Sequence, residues 1–241
     1  MKAIPTPTAK DVVEELRELG TEGYRKLLRN HGVPDPMFGV KIEHLKKIEK
    51  RVKKDYRLAL DLYDTGIYDA RYLAGLIADE TRMTETDLRH WLATADCGAV
   101  CEFVVARVAA ESEHGWELAL EWIDAADENA TSTGWATLAS LVSVTADADL
   151  DLDELKGLLE RVGKTIHAQP NRTRYAMNGF VIAAGSYVKA LTALAIKTGK
   201  AVGEVEVDMG KTACKVPFAP DYIQVVKDRG TVGKKRKSAR C

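Results

Sequence analysis

Proline and cysteine are scarce in this chain of 241 residues, with seven of the first and four of the second. So few prolines, with 18 glycines, exclude a low-complexity or collagen-like chain. Cys97, Cys101, Cys214 and Cys241 are too few for a disulfide scaffold, so a reducing, cytoplasmic setting is expected. Long apolar runs are also missing. No stretch approaches the ~18 residues that a membrane-spanning helix needs. The opening MKAIPTPTAKDVVEEL has no apolar core and carries acids early, so it does not read as a secretory signal. The five histidines fall at no metal-ligand spacing, and no metal or organic cofactor is expected. Lys and Arg are absent between Arg107 and Lys156, a gap that instead holds acids from Glu111 to Glu154.

What is present is a 46% hydrophobic, 29% charged composition, that of an ordinary globular chain. The net charge of −1 hides an acidic middle and a basic end, where Lys227, Arg229, Lys234, Lys235, Arg236, Lys237 and Arg240 face Asp228 alone. Such asymmetry points to an anionic partner for part of the molecule.

Helical periodicity dominates. Thr8, with Asp11 three residues on, caps a first helix that ends at Gly20, and Thr21 starts a second. Ile42, Leu45, Ile48 and Val52 recur at three and four, the apolar stripe of an amphipathic helix whose other face is strongly basic. Short helices follow over 56–63 and 68–79, then one capped by Thr84 or Thr86. Residues 97–110 are nearly all apolar and read as a buried helix. Further helices are predicted over 116–123, 133–144, 151–162 and 172–198. Only 202–208 alternates with period two, as a strand would. Helices of this length joined by short turns predict an all-α fold of stacked helical hairpins.

Three segments carry a family resemblance. Phe38-Gly39-Val40-Lys41-Ile42 leads into the basic helix. Residues 59–74 hold Leu60-Asp61-Leu62-Tyr63, a turn, and Tyr68-Asp69-Ala70-Arg71. The third is Gly98-Ala99-Val100-Cys101-Glu102. In order and spacing these resemble the DNA alkylation repair family, the alkylpurine DNA glycosylases built of HEAT-like repeats. The resemblance covers roughly residues 35–200. It implies an α-α superhelix over 1–200, a C-terminal extension with a basic tail over 201–241, and a protein that binds duplex DNA, expected as a monomer. In catalytic members the third motif supplies an Asp and, one turn earlier, a Trp. This chain has Glu102 and Gly98 there. A carboxylate stabilises the sugar cation that develops as the glycosidic bond breaks, so Glu102 is the candidate catalytic residue. The family's later aromatic and arginine should fall near 178–185, where Asn178-Gly179-Phe180-Val181-Ile182 offers neither Trp nor Arg. DNA phosphates are expected on Lys46, Lys50, Lys53, Arg71, Arg107, Arg172 and Arg174, and on a mobile arm of Lys234, Lys235, Arg236 and Lys237. Arg172 opens a helix, against the helix dipole; a phosphate contact and a salt bridge to the acidic middle both remain open. The basic end reads either as a solvated terminus or as a nucleic-acid arm. The alternative for the whole chain is a non-catalytic scaffold whose acidic middle binds a basic protein.

Overall fold

The computed structural model describes residues 7–240. Helices account for the architecture, and none of the described residues forms a strand. Among the described residues, no single helix is long and apolar enough to cross a membrane. The first two helices are α1 (Ala9–Leu19), closed by a reciprocal Thr8–Asp11 capping box, and α2 (Glu22–Asn30), capped by Thr21. Then come α3 (Ile42–Val52), α4 (Tyr56–Tyr63), α5 (Tyr68–Ile77) and α6 (Glu85–Thr94). Thr84, not Thr86, caps α6, because its hydroxyl and Asp87 exchange hydrogen bonds.

Residues 98–111 form one rod in three parts: α7 (Gly98–Val100), a π-helical turn Cys101–Val105, and α8 (Ala106–Glu111). The remaining helices are α9 (Gly115–Trp122), α10 (Glu128–Val144), α11 (Leu152–Thr165), α12 (Asn171–Tyr187), α13 (Thr192–Val202) and α14 (Ala219–Asp228). One layer runs α3, α5, the 98–111 rod, α10, α12 and α14, each packed on the next. The helices α4, α6, α9, α11 and α13 back it as a second layer. The fold is thus an all-α stack of helical pairs, as the periodicity predicts. Two large apolar clusters fill it, one around Leu62, Tyr63, Leu73 and Trp91, the other around Trp135, Leu159 and Phe180, with a small third at Leu28, Val33 and Met37. Each such side chain, taken fully out of water, contributes about 1.5–3 kcal/mol.

Three local expectations are corrected. The predicted helix over 172–198 is broken at Val188–Leu191, and its halves meet at 114°. No proline forces the bend. Val188 and Leu191 are both buried, so the chain turns to bring them inward. Helix α10 begins at Glu128 rather than 133, because Asp127 caps it. Its polar start stays buried because Thr131, Thr133 and Thr137 donate back to Asp127, Asn129 and Thr133 carbonyls. Of the alternating stretch 202–208, Val202 closes α13 and the residues after it find no partner strand. Side chains of α12 stand in for one: Arg174 Nε donates to the Glu206 carbonyl at 2.8 Å, and Asn171 exchanges two bonds with the Asp208 backbone.

Candidate nucleic-acid interface

The three resemblance segments have structural explanations before any functional one. The Asp69 carboxylate is fully buried and accepts the backbone N–H groups of Phe38 (2.6 Å), Gly39 (3.3 Å) and Val40 (2.7 Å). Gly39, at φ 78°, turns those donors inward. Arg71 is only 8% exposed. Its Nη1 meets Asp96 at 3.0 Å, its Nε donates to the Tyr63 carbonyl, and its guanidinium lies over the Tyr63 ring. The expected phosphate contact at Arg71 is therefore corrected: the group ties α5 to its neighbours and does not reach the surface.

Glu102 sits inside the π-helical turn and is 5% exposed. Such insertions rotate side chains out of helical register and recur at functional positions. Helix α5 crosses this turn closely because Gly75 has no Cβ; one would lie 2.9 Å from Val104 Cγ1. The Glu102 carboxylate is held by Arg172 through three hydrogen bonds, from Nε to Oε1 (2.9 Å) and from Nη2 to Oε1 (2.6 Å) and Oε2 (2.7 Å). Burial pushes the Glu102 carboxyl above its ordinary value, while Arg172, and then Arg107, pull the other way. The Arg172 guanidinium also stacks on Tyr175 at 4.6 Å, and its backbone N–H donates to Glu128. Arg172 thus makes a salt bridge, as one of its two readings held, though to Glu102 rather than to the acidic middle; its contact with that middle is the backbone bond to Glu128. A Cβ on Gly98 would lie 3.1 Å from Arg172 Nε and 3.4 Å from Glu102 Oε1. The bare position at residue 98 is the space in which this ion pair is built.

The basic end is not a solvated terminus. Residues 233–240 cross the C-terminal ends of four helices of the first layer in turn. Gly233 N donates to Ser186 at the end of α12, and Arg236 N to Ser143 at the end of α10. Lys235 Nζ donates to the Val142 carbonyl and pairs with Asp147, each at 2.8 Å. Ala239 N and Arg240 Nε bind the Glu111 carboxylate that closes α8. Arg240 Nη1 donates to the Gly75 and Ala78 carbonyls at the end of α5, and its Nη2 meets Glu80 at 2.5 Å. Helix C-termini carry unpaired carbonyls and partial negative charge, so a basic segment is the natural strap across a row of them. Burial raises the Glu80 carboxyl, but Lys54 and Arg240 outweigh it and hold it below the usual carboxylate range. The expectation of a mobile arm is corrected on this ground.

Other expected residues scatter. Lys50 on α3 and Lys53 just past its end are exposed, Lys46 is half-buried, and none pairs with a carboxylate among the described residues. Arg107 lies over the Phe103 ring at 4.9 Å. Arg174 is engaged with the Glu206 and Gln169 carbonyls. Lys234, Arg236 and Lys237 are exposed on the strap. Among the described residues, Cys97, Cys101 and Cys214 are free thiols, and burial pushes Cys97 up to about 11.

Sequence reasoning missed the feature that joins these parts. Along α12, Tyr175, Gly179, Ala183 and Tyr187 recur every fourth residue and floor a trough. One part, of about 220 Å³, reaches Glu102, Phe103 and Arg107. The other, of about 650 Å³, lies between α12, α14 and the strap. The tyrosine spacing was the available signal, but only the packing shows that this side of α12 is open. Acids gather elsewhere, with Glu85, Glu113, Glu117 and Glu121 together beside α6 and α9 of the second layer.

Comparison with known proteins accords with this geometry. The proteins Lin0241 of Listeria innocua and Lmo0209 of Listeria monocytogenes are each 34% identical to the chain over 220 residues, 89% of this chain and 95% of theirs. A solved structure, described as "a new family of proteins related to the HEAT-like repeat DNA glycosylases with affinity for branched DNA structures", superposes with a TM-score of 0.90 at 36% identity, covering 98% of this chain and all of that one. The family profile described as DNA alkylation repair enzyme matches residues 12–215, and the chain belongs to that family.

Proposed function

We propose that the protein binds DNA, with a preference for branched over uninterrupted duplex, and does not cleave the glycosidic bond. One observation carries the second half. Glu102, the carboxylate that excision would need, is already neutralised by Arg172 in the space beside Gly98. A guanidinium fixed beside a forming sugar cation opposes the charge it would have to stabilise. The binding half draws support from exposed cations, Lys50 and Lys53 at the end of α3 and Lys234, Arg236 and Lys237 on the strap, with Lys46 and Arg107 half-buried. It also draws support from the 36% identical protein, whose family has affinity for branched DNA. Phosphate contacts of this kind position a nucleic acid without reading its sequence. The free thiols fit a reducing compartment.

The test is fluorescence anisotropy with a four-way junction against a duplex of equal length. The junction should bind more tightly. Both affinities should fall about a thousandfold between about 50 and 200 mM salt if about six phosphates are neutralised. No binding to either DNA at low salt would overturn the reading and turn attention to the acidic patch and a basic protein.

A further inference from the structure

We propose that the larger part of the trough, between α12, α14 and the strap, is a binding site for unpaired nucleotides, with bases against tyrosine rings and phosphates on the arginines and lysine of the rim. The inference rests on the DNA-binding reading above and adds which part of a branched DNA the protein takes in.

Size comes first. A cavity of about 650 Å³ is in the range of small-molecule sites and admits a nucleotide or two, whereas a double helix cannot enter it. Tyr175 and Tyr187 rise from α12, and Tyr222, on α14, is 53% exposed. An aromatic ring left in water on the edge of a cavity is a stacking surface without a partner. The rim holds Arg229, Lys234 and Arg236, and no carboxylate borders this part among the described residues. That charge suits an anion and excludes a basic peptide. Aromatic faces interleaved with cations are the arrangement by which proteins hold single-stranded nucleic acid without sequence preference. The floor of the trough includes Ser186 and Gly179. The Ser186 hydroxyl there is buried with no hydrogen-bond partner, a polar group a base edge could satisfy. Gly179 leaves the floor open: a Cβ built on it meets nothing within 4 Å.

The site is not the shared centre of the family. Tyr222, Arg229, Lys234 and Arg236 all lie beyond residues 12–215, where the family profile ends. The wall they form is built by α14 and the start of the strap.

The full chain should be titrated with labelled oligothymidylate of about twelve nucleotides, a length matched to known single-strand sites. Binding is expected at low salt. Tyr222→Ala should weaken it about tenfold, the worth of a stacked base, while Tyr222→Phe should preserve it. Gly179→Leu should also block it, because the new side chain fills the trough. That substitution favours the helix, so the melting temperature should not fall. A fully paired four-way junction, measured in parallel, should bind all these variants as it binds the wild type. Absence of oligothymidylate binding, or binding indifferent to both Tyr222→Ala and Gly179→Leu, would overturn the site and leave the branched-DNA reading standing. Oligothymidylate binding that responds to the variants, beside no preference for the junction, would keep the site and sink that reading.

Discussion

Gly98 and Arg172 share one volume: the Cβ that residue 98 lacks would stand 3.1 Å from Arg172 Nε. The two positions belong to different helices, α7 and α12, and the absence of a side chain on one makes room for the cation on the other. A Cβ at 98 would press on Arg172 as it stands, and the guanidinium would have to give by a few tenths of an ångström. The departure from the family pattern at Gly98 is therefore coupled to the fate of Glu102 four residues on, whose charge Arg172 has taken up.

The ion pair should be worth more to folding than a surface bridge. Removing one member of a buried pair leaves the other uncompensated, at a cost of about 3 kcal/mol. Urea unfolding of Arg172→Ala should show a loss of that order. Adding Glu102→Gln to Arg172→Ala should restore part of it, because the stranded charge is gone. Strict additivity of the two substitutions would show that the pair is not coupled.

Glycosylase chemistry should be absent. Alkylated duplex DNA incubated with the protein should release methylpurines no faster than buffer alone. Glu102→Gln should behave identically. Excision that disappears in Glu102→Gln would mean that Arg172 moves away in the DNA complex and frees the carboxylate.

The strap should contribute to stability, against what its composition implies. Arg240→Ala would leave Glu80 and Glu111, both nearly buried, facing one another without their shared cation. A loss of about 3 kcal/mol corresponds to roughly 6–12 °C in melting temperature for a chain of this size. Differential scanning calorimetry of Arg240→Ala checks it. An unchanged melting temperature would mean that the segment lies on the surface without holding it.

Acid should release the same strap. Glu80 titrates lower in the folded protein than in the unfolded chain, through Lys54 and Arg240 and despite its burial beside Glu111. A depressed carboxyl contributes stability that is complete above its unfolded value, near 4.5, and is lost as pH falls through the folded one. Protection of the amides at 233–240, measured against their intrinsic exchange rate at each pH, should therefore fall below about pH 4.5 in the wild type. In Glu80→Gln the exchange should already be fast at neutral pH and should show less of this acid step. Equal pH profiles for both proteins would remove Glu80 from the latch.

Helices were legible in the sequence wherever the information is local. The stripe Ile42, Leu45, Ile48 and Val52 and the caps Thr8, Thr21 and Thr84 depend on residues within one or two turns, and the fold returns them nearly unchanged. The all-α class follows from that periodicity and the order of the motifs. Long-range pairings were not legible. The Glu102–Arg172 bridge spans 70 positions, and Arg240 reaches a carbonyl 165 positions away. Nothing local to residue 172 distinguishes a guanidinium bound for a phosphate from one bound for a buried carboxylate. A run of lysines and arginines likewise reads as a free arm, because its charge is written in the sequence and the row of helix C-termini that receives it is not. That row exists only once successive helix pairs have stacked. The tertiary structure therefore decided which charges are spent inside the protein and which are left for a partner.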